Sequence, residues 1–73
     1  MGEDFTAKVA AEVRAEMARQ RRSQEWLAAR LGVSQSTLSR RITGELAFDT
    51  TELANVAAVL GVPVTRFLVG SAA

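Results

Sequence analysis

Residues 19–41 carry six arginines, at positions 19, 21, 22, 30, 40 and 41, against the single acid Glu25, a net charge of +5. Residues 1–18 and 42–73 each come to −2, so the overall charge of +1 conceals a concentrated basic middle. Such a stretch suits a polyanion, although a solvated basic surface would carry the same charges. That all six are arginine favours phosphate or base-edge contacts, because the guanidinium fork matches both geometries. Catalytic chemistry finds little material. Histidine and cysteine are both absent, which removes the commonest neutral-pH base and metal ligand, thiolate sites and disulfides. Carboxylates, Lys8 and hydroxyls remain, and no pair of them stands at a recognisable catalytic spacing. The reading is of a non-enzymatic chain with no metal and no cofactor.

The basic stretch ends in GVSQSTLSRRITG, residues 32–44, where only Val33, Leu38 and Ile42 are aliphatic. On a helix starting at Gln35, Leu38 and Ile42 fall within about 40° of each other and form a thin anchoring edge. Arg40 stands about 180° from the middle of that edge, with Ser36, Ser39 and Thr43 beside it and Gln35 at the N-terminal end. The outward face is made of hydrogen-bonding side chains, most of them short enough to let the backbone approach a partner closely. A DNA major groove admits one such helix and presents donors and acceptors along its base edges. An ordinary solvent-exposed helix is the plainer reading, but surface helices favour Glu, Lys and Ala over hydroxyls.

The elements that would position this face are helical. Phe5, Val9, Val13 and Met17 recur every four residues and predict a first helix over about 6–21. Ser23 is a good N-cap for a second helix, 24–31, with Leu27, Ala28 and Leu31 inward and Gly32 as its left-handed terminator. Ser34 caps a third, 35–43, which Gly44 ends. Residues 45–49 read as a loop, and Asp49 with Glu52 forms a capping-box pattern opening a fourth helix over 50–60. That helix is apolar nearly all round and is expected to be the most buried. Gly61 stops it, Pro63 suits the first turn of a short fifth helix over 63–69, and 70–73 reads as a frayed tail. Only three residues, Gly32 to Ser34, separate helices two and three, which suits a steep helix-turn-helix crossing with Val33 filling the angle. The expected fold is therefore all-α, a compact five-helix arrangement with a helix-turn-helix at helices 2 and 3.

With 73 residues, 48% of them hydrophobic and 23% charged, the chain reads as one ordered domain spanning 1–73. No apolar run approaches the roughly 20 residues of a membrane helix. The opening MGEDFTAK is too acidic for a secretory signal, and the lack of cysteine suits a reducing cytoplasm. Neither a membrane nor a small-molecule ligand is expected as a partner.

The stretches SQ at 23–24, LA at 27–28, LGVSQSTLSR at 31–40, Gly44 and LGV at 60–62 together resemble the XRE, lambda-repressor-like family of DNA-binding domains found in phage Cro and CI repressors and bacterial regulators. The resemblance runs from about Val13 to Leu68 and implies five α-helices. It also implies double-stranded DNA as partner, a role in transcription regulation, and a place at the nucleoid. By position it assigns base reading to Gln35, Ser36, Ser39 and Arg40, with Gln suited to adenine and Arg to guanine. Gln24 takes a phosphate at the start of helix two, helped by the helix dipole. Arg22, Ser23, Ser34, Thr37, Arg41 and Thr43 complete the expected phosphate contacts.

The chain also departs from that family. Many members have an aliphatic residue where Arg41 stands and Glu where Ile42 stands; the shift moves the apolar anchor by one position and leaves Arg41 free to lie along a phosphate strand. Arg22 replaces a residue that is often apolar. The loop ELAF, 45–48, lacks the basic residues of many relatives, so main-chain amides would have to serve there.

Trp26 points away from the inward face of helix two, with Arg22 and Arg30 one turn to either side. It reads as a half-buried ring under cation–π contacts, or as a contact for a partner or the sugar–phosphate backbone. Phe67 and Val64 read as core, whereas Leu68, Val69 and Phe48 are candidates for a two-fold contact in a homodimer, at least on DNA. Beside a phage-type repressor, the same residues fit a protein-interaction module on this scaffold or the antitoxin of a toxin–antitoxin pair.

Overall fold

A computed structural model describes residues 2–71 of the chain, with side chains over residues 5–68. The helix α1 spans Gly2–Gln20, α2 Gln24–Leu31, α3 Gln35–Ile42 and α4 Thr50–Leu60; a 3₁₀ helix, Val64–Ser71, follows. Among the described residues there is no strand. The helix α1 starts earlier than the apolar spacing suggests. The last helix is 3₁₀ rather than α. Pro63 stands just before it, its carbonyl accepting the Arg66 N–H at 2.9 Å, the closure that tightens a turn to three residues. This helix runs through Ser71, two residues beyond the expected end at 69, and 72–73 lie outside the described residues.

The core is built from one face of each element. Val9, Val13 and Met17 of α1 meet Leu27 and Ala28 of α2, Leu38 and Ile42 of α3, Leu53, Val56, Ala57 and Leu60 of α4, and Phe67 of the 3₁₀ helix. The helix α1 packs on α3 and the 3₁₀ helix, while α2 packs on α3 and α4. As expected, α4 has the largest share of buried residues among those described, with Leu53, Val56, Ala57 and Leu60 inside, but it is not covered all round: Ala54, Asn55 and Ala58 are exposed. Alanine counts as apolar but its small side chain sits at a surface with little penalty, so an alanine-rich helix can look more buried in sequence than it is. Phe5, on the apolar stripe of α1, and Val64, expected in the core, are 45% and 36% exposed. Both line an apolar groove of about 350 Å³ with Val9, Phe48, Leu53 and Leu68.

Three helices end in the same way, with the chain passing through a left-handed residue and a hydrogen bond returning from the next. Val33 N–H reaches Ala28 O at 3.1 Å, Val62 N–H reaches Ala57 O at 3.0 Å, and Arg22 N–H reaches Met17 O at 2.9 Å. This is the Schellman closure. In α2 the left-handed residue is Gly32, at φ 72°, but in α1 it is Arg21, at φ 57°. A side chain there costs of order 1 kcal/mol. The sequence reading placed Arg21 inside the helix for that reason: no glycine marks the stop.

Candidate nucleic-acid interface

The turn between α2 and α3 is built from two serine caps around a glycine. Ser23 Oγ accepts the Trp26 N–H at 3.0 Å and opens α2. Ser34 Oγ accepts the Thr37 N–H at 3.1 Å to open α3, and its own hydroxyl donates to Thr37 Oγ1 at 2.9 Å. Each cap satisfies one first-turn amide of its helix. Between them Gly32 and Val33 redirect the chain. Val33 does not fill the angle as expected: it is 37% exposed and sits on the rim of a crevice with Leu31 and Leu38. Its backbone, through the bond to Ala28, does the closing.

The third helix has the two-faced character its sequence implies. Leu38 and Ile42 are 1% and 2% exposed, while Gln35, Ser36 and Arg40 are exposed and Ser39 and Thr37 half-buried. Thr43 caps the C-terminus, exposed, with its hydroxyl donating to Arg40 O at 3.1 Å. Arg40 lies 3.5 Å from Glu45, but both side chains are more than half exposed, so the pair is weak and easily exchanged for another anion. Beside this face, Arg22 and Gln24 come together with Arg14 around a shallow hollow of about 260 Å³. Arg14 was not among the expected site residues. It donates from Nη1 to Ile42 O at 2.6 Å, fastening the last turn of α3 to α1 across 28 residues. Nothing local in the sequence marks such a bond.

The arginine-rich middle divides once its partners are known. Arg22 and Arg30 stack on the Trp26 ring, their guanidinium carbons 4.3 and 4.9 Å from its centroid, and the ring is half-buried against the core. Arg19 binds Glu16. Arg41 turns inward: its Nη1 is 2.6 Å from Ala47 O and 3.1 Å from Glu52 Oε1. It is therefore not free to lie along a phosphate strand in this conformation. A signal for this was present in the sequence, because on the helical wheel Arg41 falls only about 60° from Leu38 and about 100° from Arg40. Two adjacent arginines on a helix cannot share a face.

Glu16 is a second feature that local sequence did not disclose. It is 4% exposed and accepts hydrogen bonds from Arg19 Nη2 at 2.9 Å, Gln20 Nε2 at 2.8 Å and Arg66 Nη1 at 2.9 Å. The Gln20 and Arg19 hydrogen bonds hold its pKa below the ordinary carboxylate value, with the charges of Arg19 and Arg66 adding to them and burial opposing. Gln20 Nε2 also donates to Leu60 O at 2.8 Å, so this network stitches α1 to the end of α4 and to the 3₁₀ helix, away from α3.

Among the described residues no cluster of His, Cys, Asp or Glu could hold a metal ion, and no helix is long and apolar enough to cross a membrane. Comparison with curated proteins and with solved structures returned no match. The helix-turn-helix family model, in contrast, matches residues 13–67, from the middle of α1 to Phe67. That span takes in both serine caps, the Gly32 turn and the two-faced third helix. The chain belongs to the XRE, lambda-repressor-like family of helix-turn-helix domains, a family of DNA-binding regulators rather than of enzymes.

Proposed function

We propose that the chain, acting as one domain over residues 1–73, is a sequence-specific regulator of transcription of the phage repressor or Cro type, with α3 inserted in the major groove of double-stranded DNA. One observation carries this reading: the buried side chains of α3 are Leu38 and Ile42, while Gln35, Ser36 and Arg40 face outward. Gln35 and Arg40 have the bidentate geometries that select adenine and guanine, and Ser36 and Ser39 accept or donate at close range. Arg22, Ser23, Gln24, Ser34, Thr37 and Thr43 surround the ends of α2 and α3, where phosphates would bind the caps and helix N-termini. Pairing of two copies on DNA through the apolar groove at Phe5, Phe48, Val64 and Leu68 would set half-sites about 34 Å apart.

Selection of bound duplexes from a random pool tests this, with Arg40→Ala beside the wild type. A two-fold motif is expected, and Arg40→Ala should cost about 1–3 kcal/mol and relax the preference at one base pair. Equal loss on every sequence would make Arg40 a phosphate contact instead. Five or six neutralised phosphates per copy should give a log–log salt slope of roughly −5. Absence of enrichment at low salt would favour the protein-interaction or antitoxin reading, in which Trp26 and the apolar groove meet another chain.

A further inference from the structure

We propose that Arg41 determines sequence selectivity without touching DNA, by fixing the orientation of α3 against the start of α4. The inference rests on the DNA-binding reading above. The main packing partners of α3 are α1 and α2, so little backbone contact holds its outer side to α4. Arg41 bridges that gap. Its Nη1 binds both Ala47 O, in the loop after α3, and Glu52 Oε1, in the first turn of α4. The same Glu52 oxygen accepts the Asp49 N–H at 3.1 Å, while Asp49 Oδ1 accepts the Glu52 N–H at 2.7 Å. One guanidinium thus joins the third helix, the connecting loop and the capping box of the fourth.

Burial separates this arginine from its neighbour. The Arg41 side chain is 23% exposed and that of Glu52 30%, against 56% for Arg40. Arg41 Nε is fully enclosed, with no hydrogen-bond partner among the described residues, beside the crevice formed by Leu31, Val33, Leu38, Phe48 and Val56. A side chain reaching for a phosphate strand would have its Nε in solvent. Here the stem is packed inside and the fork is used within the molecule. A bidentate Arg40–guanine contact tolerates little rotation of its helix, so a loosened α3 would lose base discrimination before it lost general affinity for the duplex.

Two single variants separate this role from a phosphate contact because they carry opposite charge changes. Arg41→Met keeps the aliphatic stem and removes the donors; Glu52→Gln keeps the capping box, which accepts either residue, and weakens only the ion pair. Binding of the full chain to its selected duplex and to a random-sequence duplex of equal length is measured across salt, with circular dichroism confirming that each variant is folded. Both variants should weaken binding to the selected duplex, Arg41→Met by roughly five- to tenfold, with the random duplex and the salt slope unchanged. The double variant should be no worse than Arg41→Met alone. The proposal is overturned if Arg41→Met weakens both duplexes equally and lowers the salt slope by about 1 while Glu52→Gln tightens both, the pattern of a phosphate ligand released from an acidic neighbour. A wild-type chain that binds neither duplex would overturn the DNA reading itself.

Discussion

Two charged nodes in this small fold each join three elements, one at Glu16 and one at Arg41. Around Glu16, α1, the end of α4 and the 3₁₀ helix meet; around Arg41, α3, its following loop and the start of α4 meet. The Glu16 carboxylate is buried and receives donors from Arg19, Gln20 and Arg66. The Arg41–Glu52 pair is partly open to solvent, and one of its nitrogens is enclosed without a partner among the described residues. A satisfied buried charge is costly to disturb, because any lost donor leaves an uncompensated group in a poorly solvated place. A half-exposed pair is screened and contributes little to stability, yet it can still choose between orientations. The first node belongs to the scaffold. The second sits where a small rotation would be felt by the outward face of α3.

The largest way to break the comparison lies on the scaffold side. Phe67, 1% exposed and adjacent to Arg66, is the largest fully buried side chain, and Phe67→Ala should cost about 3–5 kcal/mol in urea unfolding. Glu16→Gln comes next. It removes the charge but keeps the size, and should cost about 2 kcal/mol, since hydrogen bonds to a charged group are worth more than neutral ones. Its pH dependence identifies the cause. The folded-state pKa of Glu16 is depressed below its unfolded value, so its contribution is present at neutral pH and is lost as pH falls through that lowered value. Wild type should therefore lose stability on acidification below about pH 5 more steeply than Glu16→Gln, and parallel curves would remove the ion network from the account. By contrast Arg41→Met should lower stability by less than about 1 kcal/mol while changing selectivity.

The smallest expected effect has the opposite sign. Arg21, at φ 57°, follows directly on the helix that carries the Glu16 network. Arg21→Gly should raise stability by about 0.5 kcal/mol, the relief of left-handed strain less the added freedom of the unfolded chain. A loss of stability there would mean that the Arg21 side chain makes a stabilising contact that outweighs the strain.

Much of the scaffold could be read from the chain because it depends on neighbours in sequence. Ser23, Ser34 and the Asp49–Glu52 capping box sit within three residues of the amides they satisfy. The four-residue recurrence of Val9, Val13 and Met17 and the Leu38–Ile42 pair likewise follow from helical geometry alone, and all five are buried. The cation–π stack at Trp26 was legible too, since Arg22 and Arg30 stand four residues to either side of it, Arg30 on α2 and Arg22 just before its N-cap. The extent of burial was less so: Phe5, Val33 and Val64 have core-like chemistry, but each lines a groove or crevice that the neighbouring elements leave partly open.

What only the tertiary structure decided is which polar groups meet. Arg14 reaches Ile42 across 28 residues and Glu16 reaches Arg66 across 50. A guanidinium can serve many acceptors equally well, and its local sequence says nothing about which helix face will be brought opposite it. The serine caps, glycine turn and apolar edge that make a helix-turn-helix are thus written in residue types at short spacing. The helical wheel already turns Arg40 outward and Arg41 toward the anchoring edge, but the partners of Arg41, Ala47 O and Glu52, were decided only when α3, its loop and α4 closed around it, because a long flexible cation takes its partner from the packing that surrounds it.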